Sequence, residues 1–325
     1  MNLNNQLKNI KASNIVVLTA AIPLVMAMIL AVVVTVEKIN VVSSIDRLQL
    51  RVESISMFSD LVHEQQKERG GTAIFLKSGG KKFGNELKKQ RLHTDEKFKL
   101  LETYLTTTDF SVIDTRLQIL SDDLSEKMAK MENIRLLVDS QEISPQAAIS
   151  YYTDLNSKML QLVQIAVNYS NIPEVTTAIM GFGNFLMGKE VAGIERAIGS
   201  SSFAKGSFDK TELNEFRNLI KTQETYIQKF LSTAARAQVS EYKSILESKS
   251  GRDVLAMRKV ALDAGVNGDL SGVSGADFFN AQTIRINKLK GLEEILGSDL
   301  LSLIASKKNN AIFTRNMVVV LVLFA

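Results

Sequence analysis

Apolar residues recur three and four positions apart through most of this chain. Ile39, Val42, Ile45, Leu48, Val52, Ile55, Phe58, Leu61 and Val62 form one such series, the spacing of an amphipathic helix. No run of alternating apolar and polar positions competes with it. The pattern predicts helix almost throughout Glu37 to Asn316. Breaks punctuate it at "KSGGKKFG" (Lys77 to Gly84), "TTTDFS" near Thr106, "SQEISP", "SNIP" (Ser170 to Pro173), "GSFDKTE", "ESKSG" at Glu247 and "AGVNGDLSGVSG" (Ala264 to Gly275). Ser144 and Pro145 read as an N-cap and a first-turn proline, and Asp209 with Glu212 as a capping box. Cutting at these breaks gives about eight helices, which suits an all-α fold of two stacked four-helix bundles.

Two stretches depart from the amphipathic pattern. Ile15 to Val36 carries no charged residue and exceeds the roughly 20 residues that span a bilayer. It is read as a retained transmembrane helix, Pro23 being tolerable there. A second apolar run begins at Met317 and stops at Ala325, too short to span, and is read as the start of a second transmembrane helix. The domain division expected is therefore a cytoplasmic N-terminus at 1–14, a membrane helix at 15–36, an extracytoplasmic helical sensor at 37–316 and the start of a return helix at 317–325. Lys8 and Lys11 favour a cytoplasmic N-terminus, which puts the sensor outside the bacterial inner membrane, in the periplasm of a Gram-negative cell. Helices entering a membrane with apolar stripes suit a homodimer.

Composition narrows the chemistry. The 325 residues include no cysteine and two histidines, His63 and His93, so Cys-based and His-cluster metal sites are excluded and no cofactor is expected. A net charge of +4 with no basic stripe argues against a nucleic-acid partner. No catalytic triad, HExxH pair or phosphate loop is present. "GFGNFLMG" (Gly181 to Gly188) lacks a βαβ context and reads as small residues on a packed helix face. The chain itself is not expected to be an enzyme, although an output domain beyond it could be a histidine kinase or a cyclase.

An internal echo singles out two places. "ERGGTAIFLKSGGKKFGNEL" from Glu68 and "ERAIGSSSFAKGSFDKTEL" from Glu195 share the order Glu-Arg, small residues, a Gly-containing loop, Phe and Glu-Leu. Gln65, Gln66 and Thr72 share the helix face of Arg69, as Ser200 and, two turns away, Lys189 share that of Arg196. Taken singly, either site reads as a solvated Glu-Arg face, the first with a helix break at Gly70-Gly71, because surface ion pairs carry little energy. Taken together, two planar guanidinium forks flanked by small residues suit an anion pocket between helices.

The stretch "LVHEQQKERGGTAIFL" followed by "SGGKKFGNELKKQRLHTD" resembles the opening of the nitrate- and nitrite-sensing domain (NIT) of bacterial receptors. "FLMGKEVAGIERAIGSSSFAKGSF" looks like that family's second motif and "DFFNAQTIRINKLKGLEE" like its late helix. The resemblance covers about Val52 to Ile304. It implies two four-helix bundles and binding of nitrate or nitrite by Arg69 and Arg196, with Gln66, Thr72, Lys189 and Ser200 as candidate neighbours. Gly70-Gly71 departs from the Gly-Leu-Ser type sequence of the motif, and Gly71 is expected to leave a larger space in the pocket. Members occur in chemotaxis receptors, sensor kinases, cyclic-di-GMP enzymes and soluble antiterminators; the apolar runs point away from the soluble form. The expectation is a transmembrane receptor of the chemotaxis type that binds a small planar anion, with a membrane-anchored interaction module or an organic-acid sensor as alternatives.

Overall fold

The computed structural model describes residues 12–107, 115–167 and 172–323. These form α-helices and short connections: α1 Ala12–Lys77, α2 Gly84–Thr107, α3 Thr115–Ala129, α4 Met131–Asp139, α5 Pro145–Val167, α6 Pro173–Lys205, α7 Lys210–Leu231, α8 Arg236–Glu247, α9 Lys249–Ala264 and α10 Gly275–Leu323. The fold is all-α. The segment 1–11, part of "TTTDFS" and most of "SNIP" lie outside the described residues.

The expected punctuation marks real ends. Ser144 Oγ accepts from the Ala147 amide at 3.1 Å, capping α5. Asp209 accepts from the amides of Thr211 and Glu212, and the Glu212 carboxylate accepts from the Asp209 amide, closing the capping box of α7. α6 ends on Gly206 at φ 85°, a left-handed position suited to glycine.

Two helices expected to be continuous are divided: Lys130 separates α3 from α4 without a side-chain cap, and residues 232–235 separate α7 from α8. The break expected at "ESKSG" falls at Ser248, between α8 and α9. Ser248 is extended, and its hydroxyl accepts from the Gly251 amide at 3.4 Å to start the new helix. The order is thus the same twice: a long helix, a helix, a broken helix and a fourth helix, first α1 to α5 and then α6 to α10. The break expected at Gly70-Gly71 does not occur, since α1 runs unbroken to Lys77.

The chain divides into two compact units. Residues 50–301 form the larger. Its core includes the ring cluster of Phe203, Phe208, Phe216 and Phe278, with centroids 5.0–5.8 Å apart. Residues 1–49 and 302–325 form the other unit. Apolar side chains there are largely exposed, including Ile22, Met26, Leu30, Val33, Phe313 and Leu321. Ala21–Lys77 is long and apolar enough to cross a membrane by length and composition; one such helix does not by itself make a membrane protein.

Candidate functional site

Both Glu-Arg pairs are buried inside the larger unit. Glu68, Arg69 and Glu195 have no solvent exposure, and Arg196 is 1% exposed. That removes the reading of either pair as a solvated face. Four charges deep in a helical core need partners, and the two halves supply them in the same way.

Each glutamate turns away from its own arginine toward a second one. Arg135 of α4 grips Glu68 with two hydrogen bonds, Nε to Oε1 at 2.7 Å and Nη2 to Oε2 at 2.9 Å. Arg258 of α9 grips Glu195 likewise, at 2.7 and 2.5 Å. Parallel two-point contact is the strongest geometry an arginine and a carboxylate can adopt. Tyr152 adds a 2.7 Å hydrogen bond to Glu68. Burial and the Glu68 carboxylate push the Tyr152 hydroxyl well above its ordinary pKa, so it stays a donor.

Each motif arginine in turn donates to a threonine on the fourth helix of its half. Arg69 Nη1 reaches Thr153 Oγ1 at 2.9 Å, and Arg196 Nη1 reaches Thr283 Oγ1 at 3.0 Å. The clearances are reciprocal. A Cβ on Gly193 of α6 would lie 2.8 Å from Arg69 Nη2, and one on Gly70 of α1 would lie 3.5 Å from Arg196 Nη2 and 3.0 Å from the Phe279 ring. Each glycine thereby makes room for the other helix's arginine. The Arg196 guanidinium also sits 5.1 Å from the centre of the Phe279 ring.

Gln66 and Glu190 join the two arms. The Gln66 carbonyl accepts from Arg196 Nη2 at 2.7 Å. Its side-chain amide donates to Glu190 Oε2 at 2.5 Å, while Arg69 Nη1 donates to Glu190 Oε1 at 2.6 Å. Arg69 therefore has a carboxylate partner and Arg196 has only neutral acceptors. Burial, with the like charge of Arg69, pushes the Arg196 pKa down to about 9, against the opposing pull of Glu190. Three nitrogens of these two guanidiniums have no hydrogen-bond partner among the described residues: Arg69 Nε, Arg69 Nη2 and Arg196 Nε. The hydroxyls of Thr72 and Ser200, one turn beyond each arginine, are buried and also lack partners.

The remaining candidate lies elsewhere. The Lys189 ammonium pairs with Glu293 of α10, in a second polar seam with Ser59, Asp60 and Lys290. Gly71 does not border the arginines. A Cβ there would meet Phe83 and Leu87 at 3.4 Å, so the extra space expected beside it is filled by those side chains. Sequence reasoning missed Glu190, Gly193, Thr153 and Thr283. Glu190, Gly193 and Ala197 fall at helical spacing on one face of α6, a signal that could have placed Glu190 beside the clearance. Nothing local marks the threonines, which come from distant helices.

Residues 60–301 match the family described as nitrate and nitrite sensing. The chain belongs to the NIT family. A relative, the nitrate regulatory protein of Klebsiella oxytoca, is 26% identical over 251 residues, which are 75% of this chain. The chain spans 61% of that relative's length. The solved structure of the NasR transcription antiterminator superposes with a TM-score of 0.74 at 22% identity, covering 86% of this chain and 80% of that one. It shares the fold of this chain.

These relatives correct several expectations. The transmembrane chemotaxis-receptor function is overturned, because the proteins matched are named a nitrate regulatory protein and a transcription antiterminator. The periplasmic sensor at the bacterial inner membrane and the membrane as partner fall with it. They rested on one apolar helix and a short terminal run, and sequence length and apolarity cannot assign a place in the cell. The exclusion of a nucleic-acid partner is overturned as well, since the structural neighbour is an antiterminator. Net charge summed over a chain says nothing about a partner met by another part of a protein. The matched relatives are regulatory proteins by name rather than enzymes.

Proposed function

We propose that this chain is the nitrate- or nitrite-sensing part of a nitrate-responsive regulator, and that the anion binds between α1 and α6 on Arg69 and Arg196. One observation carries the reading. Guanidinium nitrogens from both helices converge in a buried core with no protein acceptor for Arg69 Nε, Arg69 Nη2 or Arg196 Nε. Buried donors are ordinarily satisfied, and a planar oxyanion fits planar forks. The Thr72 and Ser200 hydroxyls complete the shell, and Gln66 holds the two arms in register through Glu190 and the Arg196 contact. Lys189, paired with Glu293, takes no part in this set. The sensor is taken as residues 37–316, and regulation of transcription is the output class that the relatives suggest.

Two like charges in a shared core repel, and burial together with that repulsion lowers the Arg196 pKa. An anion between them removes that repulsion and favours the state in which α1 and α6 lie closest. A ligand shifts such an equilibrium by its differential affinity for the two states.

Calorimetric titration of the full chain tests this. Nitrate or nitrite is expected to bind more tightly than chloride, and Arg196→Gln to reduce that affinity by roughly a hundredfold, the loss of one or two charge-assisted hydrogen bonds. Formate, planar and of equal charge, separates nitrate sensing from carboxylate sensing. Equal heats for nitrate and chloride, or an unchanged affinity in R196Q, would remove the site.

A further inference from the structure

We propose that Glu190 fixes the charge of the accepted anion at one, admitting monoanions and rejecting dianions such as sulfate. The proposal rests on the anion site described above and adds its selectivity.

The charges acting on Arg196 are those of Arg69, which pushes its pKa down, and Glu190, which opposes. Glu190 is 4% exposed and bonded to Arg69 and Gln66. Two guanidiniums and one carboxylate leave a single net positive charge in a closed core. The other charges nearby have partners of their own and are not among those acting on Arg196. In the neighbouring seam the lysines 189, 290 and 97 face Glu293 and Asp60. Burial and the nearby cations hold His63 far below its ordinary pKa, so it is neutral. Glu68 is committed to Arg135 and Glu195 to Arg258, with the buried Arg285 beside Arg258 on Gln223.

One monoanion brings the site to neutrality. A dianion leaves an uncompensated negative charge in a medium of low dielectric, which is costly. Glu190 also withdraws Arg69 Nη1 and the Gln66 amide from any ligand, which leaves the three free guanidinium nitrogens, with the Thr72 and Ser200 hydroxyls, as the recognition set. It is thus a fixed internal anion occupying one side of the fork.

The test is calorimetry of the full chain with sodium nitrate and sodium sulfate at constant ionic strength, for the natural protein and for Glu190→Gln. The natural protein is expected to bind nitrate and to give no saturable heat with sulfate. E190Q, with two net positive charges, is expected to bind sulfate, shifting the nitrate-to-sulfate preference by roughly tenfold or more. Glu190→Asp keeps the charge and is expected to keep the preference. Should E190Q not fold, Gln66→Glu decides: it brings the site to zero net charge and is expected to abolish nitrate binding. An unchanged preference in E190Q, or full nitrate affinity in Q66E, overturns the assignment of Glu190 and leaves the anion site standing. Absence of any anion heat in the natural protein removes both.

Discussion

The Glu68-Arg69 and Glu195-Arg196 pairs are wired alike and charged differently. In each, the glutamate is gripped by an arginine of the broken third helix, and the arginine donates to a threonine of the fourth. Only Arg69 has a carboxylate in contact, Glu190. Arg196 has a carbonyl, a hydroxyl and an aromatic ring. An internal repeat preserved the framework, and one residue on α6 made its two arms unequal. The arm without a counter-ion is the one whose charge is least comfortable, and so the one with most to gain from an added anion.

The glutamates give the largest effects. Removing one partner of a buried ion pair costs about 3–5 kcal/mol. If the halves were equal, Glu68→Ala and Glu195→Ala would cost the same. The contacts predict otherwise. Arg135 keeps a 2.7 Å bond to Asp95 after E68A. After E195A, Arg258 and Arg285 both converge on Gln223, with no other carboxylate hydrogen-bonded to either among the described residues. E195A is therefore expected at the upper end of that range and E68A at the lower, read by chemical denaturation. The reverse order would break the comparison.

The paired glycines come next. A Cβ on Gly70 would crowd Phe279 and one on Gly193 would crowd Arg69, whose guanidinium is pinned by Thr153 and Glu190. Overpacking of this kind costs roughly 1–3 kcal/mol. Both Gly70→Ala and Gly193→Ala are expected to lower the melting midpoint and weaken anion binding. A loss confined to one of them would show that the clearance is not reciprocal.

A pH series sharpens the asymmetry between the arms. Burial and the like charge of Arg69 lower the Arg196 pKa in the fold to about 9, well below its ordinary value. Between those values the unfolded chain holds more protons at this position, so this group's contribution to stability rises with pH. The anion needs Arg196 charged, so its affinity is expected to fall by up to tenfold per unit above about pH 9, or about 1.4 kcal/mol per unit. Calorimetry at pH 7, 8.5 and 10 reads it, and a flat profile would mean that Arg196 is not the responsive arm.

Gly71→Ala is the smallest change and the control for the glycines. Its Cβ would make ordinary contacts with Phe83 and Leu87 at 3.4 Å. Alanine is favoured over glycine in a helix by up to about 1 kcal/mol, so G71A is expected to be neutral or slightly stabilising, with anion binding unchanged. A loss of binding would return Gly71 to the pocket.

The sequence by itself determined the helical fold, most of its breaks and the two arginines. Helix periodicity, the Ser144 and Asp209 caps and the Gly-rich loops are local signals, and local backbone chemistry fixes what they mean. The repeated Glu-Arg pair was legible because a repeat is visible in one dimension. The divisions at Lys130 and at residues 232–235 were harder to place, since neither carries a glycine or a proline. Tertiary structure alone decided the burial of the pairs, the turning of each glutamate toward a distant arginine, and the trade of clearance between Gly70 and Gly193. It also decided that Glu190 sits on one arm and not the other. Such facts depend on which helix faces are brought together, from residues more than 60 positions apart in Arg135 with Glu68 and 121 apart in Arg69 with Glu190. A buried charge takes its meaning from those neighbours, and spacing along one helix does not name them.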